Sequence, residues 1–287
     1  MDALNTKIKN ILAEKATKII PENIKKDVKI LGITGNYEGS GGGGHNVTVD
    51  TSISYSSSMD IRYLITECGD IDTSNMRTME NFFQYCKNLT TIPLLNTSNV
   101  TSMQNMFTYC ENLETIAQLN TSNVTNMQNM FNRCYKLTTI PLLNTSAVTN
   151  MYGMFSNCNG LIFVPKLNTS NVTNMQSMFD NCINLTSVPQ LDTSKAVYLQ
   201  KMFNYCRKLT TVPQFDWSSA VNVSEMFRDC PLLSDDSLNN ILASCLTLNN
   251  GTKKLYGLGL YTTVYPVSRY ENLSNYQAFL DAGWTVA

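Results

Sequence analysis

Leu119 to Pro141 reads LNTSNVTNMQNMFNRCYKLTTIP, and Leu167 to Pro189 reads LNTSNVTNMQSMFDNCINLTSVP. The two stretches lie two steps of 24 residues apart, and the same step runs outward from them in both directions. Cysteine recurs at Cys86, Cys110, Cys134, Cys158, Cys182, Cys206 and Cys230. Phenylalanine stands three residues before each of these, from Phe83 to Phe227, and leucine three residues after, from Leu89 to Leu233. Three ladders in one register make a seven-copy repeat. A fixed period between about 20 and 29 residues marks a solenoid, in which each unit contacts only its neighbours.

Within one unit, Asn96 to Asn99 predicts a turn that leads into Val100, Met103, Met106, Phe107 and Cys110. Steps of three and four put these side chains on one face of a helix of about three turns, with Ser98 placed to cap its free amides. Beyond the cysteine, Leu113, Ile116 and Leu119 lack helical phase and predict a short strand. A proline follows in five copies (Pro93, Pro141, Pro165, Pro189 and Pro213), which limits strand pairing to a few residues. One unit cannot bury enough apolar surface to offset the entropy of ordering it, so the copies must stack and both ends need covers.

The flanks predict those covers. Residues 45–70 alternate through Val47, Val49, Ile53, Tyr55, Ile61, Tyr63 and Ile65 and predict an N-terminal β cap on a solenoid spanning 71–236. Residues 237–287 predict a C-terminal cap: Ser237 precedes the stripe Leu238, Ile241, Leu242 and Cys245, and Ser274 to Gly283 reads as a last short helix closed by glycine. Residues 1–39 form a separate segment, tethered by the glycine-rich linker 40–44. Its apolar positions Leu4, Ile8, Ile11, Leu12 and Ile19 face one way on a helix too short to persist alone, so it expects a partner.

Composition removes several function classes. Among 287 residues, 22 acids against 21 bases leave a net charge of −1, which argues against a dedicated nucleic-acid binder. No run approaches the roughly 18 apolar residues of a membrane helix, and the N-terminus lacks an apolar signal core, so neither membrane insertion nor secretion is expected. The single histidine, His45, excludes mechanisms that need two imidazoles. No C-x-x-C pair occurs, and cysteines 24 residues apart stack in a file rather than converge, so they are expected as buried reduced thiols. Gly41 to Gly44 lacks the Lys-Ser/Thr of a phosphate loop, and the sequons at Asn96 and Asn99 belong to the turn. Asp180, Asp229, Asp235 and Asp236 have no partnered base or nucleophile in a repeating arrangement. These readings predict no catalytic residue, no metal site and no cofactor.

Variation between copies points elsewhere. Turn and core positions are nearly fixed, whereas the residues flanking each cysteine change: Tyr85 and Lys87, Tyr109 and Glu111, Arg133 and Tyr135, Asn157 and Asn159, Asn181 and Ile183, Tyr205 and Arg207. Exposed tyrosine and arginine give much contact for little lost entropy. Tyr85, Tyr109, Arg133, Tyr135, Tyr205 and Arg207 are therefore the candidate binding residues, against the alternative of an edge free to drift.

With L-x-T-S-N-V-T-N-M-x-x-M-F-x-x-C-x-x-L-x-x-I/V-P in view, residues 71 to 233 resemble the BspA-like leucine-rich repeat family of bacterial surface proteins. Copies six and seven depart from the pattern, with Ala196 and Ala220 for valine and Leu199 and Val223 for the first methionine. The resemblance implies an α/β solenoid of seven leucine-rich-type repeats, each a short strand plus a short helix, and a non-enzymatic adhesin or ligand-binding role. Leu4 to Gly39 and Leu273 to Thr285 are similar to segments of phage tail and minor structural proteins. That similarity implies a virion-associated host-attachment protein: residues 1–39 dock on phage structural proteins, and the repeats bind a host cell-surface glycan or protein, with a homo-oligomer compatible. The competing readings are a structural spacer or decoration of the particle, a bacterial cell-surface adhesin, and an enzyme acting on cell-wall glycan.

Overall fold

The computed structural model describes residues 47–49, 65–68, 73–249, 255–261 and 263–286. The segment 1–39 expected to attach to a partner, the expected linker 40–44 and most of the expected 45–70 cap lie outside the described residues. Within 45–70, β1 (Val47–Val49) pairs antiparallel with β2 (Ile65–Cys68), Val47 opposite Cys68, with an irregularity after Thr48.

From Thr73 onward the chain winds in stacked coils of 24 residues. Each ladder of the sequence is a buried column, and Ala196, Leu199, Ala220 and Val223 take their places in it without exposure. The phenylalanine column from Phe83 to Phe227 stacks with centroids 5.5–5.6 Å apart and planes within 11° of parallel. These are offset-stacked contacts repeated at every coil boundary.

The predicted helix does not form. Alternate amides leave the coil: Met103 N donates to Asn126 O, Asn105 N to Gln128 O, Phe107 N to Met130 O and Tyr109 N to Asn132 O, at 2.8–2.9 Å. The amides between them close four-residue β-turns, Met106 N to Met103 O, Thr108 N to Asn105 O and Cys110 N to Phe107 O, at 3.0–3.2 Å. Asn105 (φ 54°) and Tyr109 (φ 64°) are left-handed, which an α-helix does not admit. A step of three residues is shared by a helical face and by consecutive β-turns, and here the turns win because they send half their donors to the neighbouring coil. A helix would keep every bond internal and leave only side chains to hold the stack.

The predicted strand also shifts. The continuous parallel ladder runs through Thr78, Ser102, Asn126, Asn150, Asn174, Tyr198 and Asn222, one bridge per coil, just before the first methionine. The stretch after the cysteine contributes single rungs such as Thr210 N to Thr186 O (2.9 Å) and one bridge, Ser187 with Thr211. Ser98 does not cap a helix either: its backbone N and its hydroxyl both donate to Asn96 Oδ1 (3.2 and 2.8 Å), a side-chain-closed turn repeated at Asn120, Asn144, Asn168 and Asp192. The buried Thr97 hydroxyl then donates to Asn120 O of the next coil (2.8 Å).

Each ladder cysteine from Cys110 to Cys230 directs its Sγ to the carbonyl of the phenylalanine 27 residues earlier, at 3.0–3.2 Å. The seven ladder cysteines and Cys245 are buried free thiols, and burial pushes the thiols of Cys110, Cys134, Cys158, Cys182, Cys206, Cys230 and Cys245 up. An alkylating reagent is expected to leave these eight unmodified in the native protein and to modify them after denaturation. Bridges between successive ladder cysteines in unreduced protein, seen by mass spectrometry, would contradict this.

At the far end α1 (Asp235–Cys245) begins two residues before the predicted boundary at 237, its cap being Ser234 rather than Ser237; the Ser234 side chain accepts from Ser237 N. Its Leu238, Ile241, Leu242 and Cys245 are buried. Its hydroxyls cover the open edge of the last coil: Ser237 Oγ accepts from Val212 N (3.0 Å), Ser244 Oγ from Phe215 N (2.8 Å), and the following Thr247 Oγ1 from Trp217 N (2.7 Å). A 3-10 turn at Leu255–Leu258 continues the cover, accepting Glu225 N at Gly257 O (2.7 Å) and Phe227 N at Leu258 O (2.8 Å). Helices α2 (Val267–Tyr270) and α3 (Tyr276–Asp281) follow. An uncovered edge of this kind would be a template for aggregation.

Candidate functional site

Two left-handed positions recur in every coil. The first is Asn81, Asn105, Asn129, Gly153, Ser177, Lys201 and Glu225. The second, immediately before each cysteine, is Tyr85, Tyr109, Arg133, Asn157, Asn181, Tyr205 and Asp229. Asparagine and glycine tolerate this conformation, and other residues adopt it at a cost of roughly 1–2 kcal/mol. The first column favours the tolerant residues. The second carries three tyrosines and an arginine, and these are candidate binding residues.

They gather into two groups. Tyr85 and Tyr109 stack with centroids 4.9 Å apart at 26°, and the Arg133 guanidinium lies 4.8 Å from the Tyr109 centroid. Arg133 Nη1 donates to the Tyr135 hydroxyl (3.4 Å), and Lys87 pairs with Glu111 (2.8 Å) alongside. Three coils on, Tyr205 is flanked by Arg207 at 5.9 Å and Arg228 at 5.7 Å. Asn157 and Asn181 lie between the groups, joined by a hydrogen bond that Asn181 Nδ2 donates to Asn157 Oδ1 (2.9 Å). The edge is thus two clusters rather than an even row. Only Arg207 is exposed; Tyr85, Tyr109, Arg133, Tyr135 and Tyr205 are half-buried by one another and by adjacent coils, because left-handed corners fold side chains back along the stack.

Sequence reasoning missed Arg228, which the coil register places beside Tyr205, and Tyr261, which the C-terminal segment brings to the same end. The first was discoverable, since Arg228 stands five residues before Leu233 in the seventh copy; the second needed the fold. The four aspartates are accounted for structurally. Asp180 accepts from Asn204 Nδ2 (2.9 Å), and desolvation raises its pKa; Asp235 pairs with Arg269 (2.6 Å) and Asp229 with Arg228 (3.7 Å), while Asp236 is exposed in the first turn of α1. Among the described residues there is no group of three or more His, Cys, Asp or Glu able to hold a metal ion, and no helix long and apolar enough to cross a membrane.

Coil, columns and covers define a repeat solenoid. The chain belongs to the family described as "Mycoplasma protein of unknown function, DUF285", which matches residues 54–162 and 158–245. Similar solved structures are leucine-rich repeat proteins. One from T. pallidum is 21% identical, covering 60% of this chain and 77% of its own at a TM-score of 0.46. One from Eubacterium ventriosum is 23% identical, covering 53% and 40% at 0.40, and one from Bacteroides ovatus is 14% identical, covering 59% and 70% at 0.21. No curated protein matches the sequence.

Proposed function

We propose that this protein is a non-enzymatic recognition module whose coil corners hold an extended cell-surface ligand, a glycan chain or a fibrous protein. The observation that carries the reading is the placing of Tyr85, Tyr109, Arg133 and Tyr205 at left-handed positions where asparagine serves the fold at lower cost. Residues kept against local conformational preference at a surface corner are explained by contact with a partner. Repetition then lets weak contacts add along the stack. Carriage on a phage particle through residues 1–39 is the proposed setting, supported by the similarity of Leu4 to Gly39 and Leu273 to Thr285 to phage tail proteins. A bacterial cell surface is the second setting, favoured by membership of a family described from Mycoplasma.

Replacing Tyr85 and Tyr109 together by asparagine is expected to leave the melting temperature unchanged or raised, since relief at two left-handed positions offsets one lost ring stack. At about 1 kcal/mol of contact per ring, binding to whole cells or cell-wall polysaccharide should fall by about 30-fold. Asn96→Ala with Asn144→Ala, in the turns, is the control and should leave binding intact. Equal loss in both variants, or none in either, removes this edge as the binding face and leaves a structural spacer.

A further inference from the structure

We infer that the groove between the last coil and the C-terminal segment is a site for one acidic sugar residue, its carboxylate on Arg207. The site lies three coils from the Tyr85–Tyr109–Arg133 stack and does not depend on it. It is a pocket of about 160 Å³ lined by Arg207, Asp229, Pro231, Gly259, Tyr261 and Val264. That is room for about five waters, a single sugar ring rather than a drug-sized ligand.

The two arginines at this end of the stack are unevenly satisfied. Arg228 is held by Glu225 (3.4 Å) and Asp229 (3.7 Å). Arg207 is exposed, and among the described residues no carboxylate lies within salt-bridge distance of it; its guanidinium lies 5.9 Å from the Tyr205 ring centroid. An arginine that lines a groove and has no acid paired with it matches a ligand carboxylate, which its guanidinium can hold by two parallel bonds. Asp229 on the same rim offers acceptors for ring hydroxyls, and the exposed Pro231 and Val264 with Tyr261 supply an apolar wall for a sugar's C–H face.

The walls are fixed before any ligand arrives. Gly259 has φ 82°, and a Cβ there would sit 2.5 Å from the Arg228 backbone, so glycine alone lets this segment lie on the last coil. The bonds from Glu225 N and Phe227 N to the 3-10 turn hold it there. Beneath, the Tyr265 hydroxyl donates to Cys230 O and accepts from Leu233 N (3.2 Å), which locks the floor. Such preorganisation lowers the entropic cost of binding.

The test is calorimetric titration of the full chain with the methyl glycosides of glucuronic, galacturonic and N-acetylneuraminic acids, beside methyl glucoside and acetate. At least one acidic glycoside is expected to bind saturably, with methyl glucoside and acetate at least tenfold weaker. Arg207→Ala should weaken that binding tenfold or more with an unchanged melting temperature, Arg207→Lys should retain part of it, and Tyr85→Asn with Tyr109→Asn should leave it intact. The last variant separates this site from the proposed edge, whose failure would show on cells alone. Saturation by none of the acids, acetate as good as the best of them, or wild-type affinity in Arg207→Ala overturns the proposal.

Discussion

Phe155→Ala is expected to destabilise the protein by about 3 to 5 kcal/mol, the range for emptying a fully buried aromatic site. Phe155 is wholly buried in the middle of the column, with Phe131 at 5.6 Å on one side and Phe179 at 5.5 Å on the other. Removing one ring therefore strips two coil boundaries at once. Each lost stack is worth about 0.5–1.5 kcal/mol beyond the buried area. Relaxation cannot refill the space, because coils that move together at Phe155 must distort the backbone hydrogen bonds from Phe131 N to Met154 O and from Phe155 N to Met178 O. For a folded region of this size the melting temperature should drop by roughly 6 to 20 °C. Gln128→Ala is the control: its half-buried side chain accepts one bond, from Asn150 Nδ2 (3.1 Å), and its loss should cost about 1 kcal/mol. Calorimetry ranking Gln128→Ala at or above Phe155→Ala would overturn the assignment of the column as the core.

What the sequence makes legible here is which residues share a column, because identity at a fixed period records environment directly: Cys134 and Cys158 are alike because their surroundings are alike. The path of the backbone between columns is harder to read. Met127, Met130, Phe131 and Cys134 carry the same three- and four-residue steps whether the chain coils as a helix or as stacked turns, and apolar pattern alone does not distinguish them. The distinguishing signal lay in Asn105, Asn129 and Gly153, one residue before the second methionine, where residues that accept positive φ recur. Asn81 belongs to the same file. The candidate edge was legible as a file of variable positions, but its division into two clusters was not. Stacking of Arg133 on Tyr109 depends on left-handed corners turning side chains along the axis. The groove at Arg207 was illegible for a different reason: its other wall comes from residues 259–264, outside the repeat, and no period connects them to the coil they cover.

The same burial that makes the cysteine file a core element makes the fold sensitive to alkali, and a cooperative collapse near pH 10 is expected. Seven thiols, from Cys110 to Cys230 with Cys245, have folded-state pKa values raised chiefly by desolvation, in several of them reinforced by a neighbouring thiol of the file. Unfolded thiols ionise near about pH 8.5. Below that value both states hold their protons and stability is complete. Above it the unfolded chain releases protons that the folded chain keeps, so unfolding is favoured by about 1.4 kcal/mol per thiol for each pH unit. Seven thiols acting together give a fall of about 10 kcal/mol per unit, against a total stability on the order of 5–15 kcal/mol for a folded domain. Tyr265, pushed up to about 12 by desolvation, adds to the slope only at still higher pH. The measurement is denaturant unfolding between pH 7 and 11 with reductant present, so that disulfides cannot form in the unfolded chain. Replacing Cys158 and Cys182 by alanine removes two of the seven linked protons and should make the alkaline limb shallower by about 3 kcal/mol per pH unit, whatever it costs at neutral pH. A protein that keeps its neutral-pH stability at pH 11, or a double variant with the wild-type slope, would mean that the thiols ionise in place and that the file is not the sealed core described.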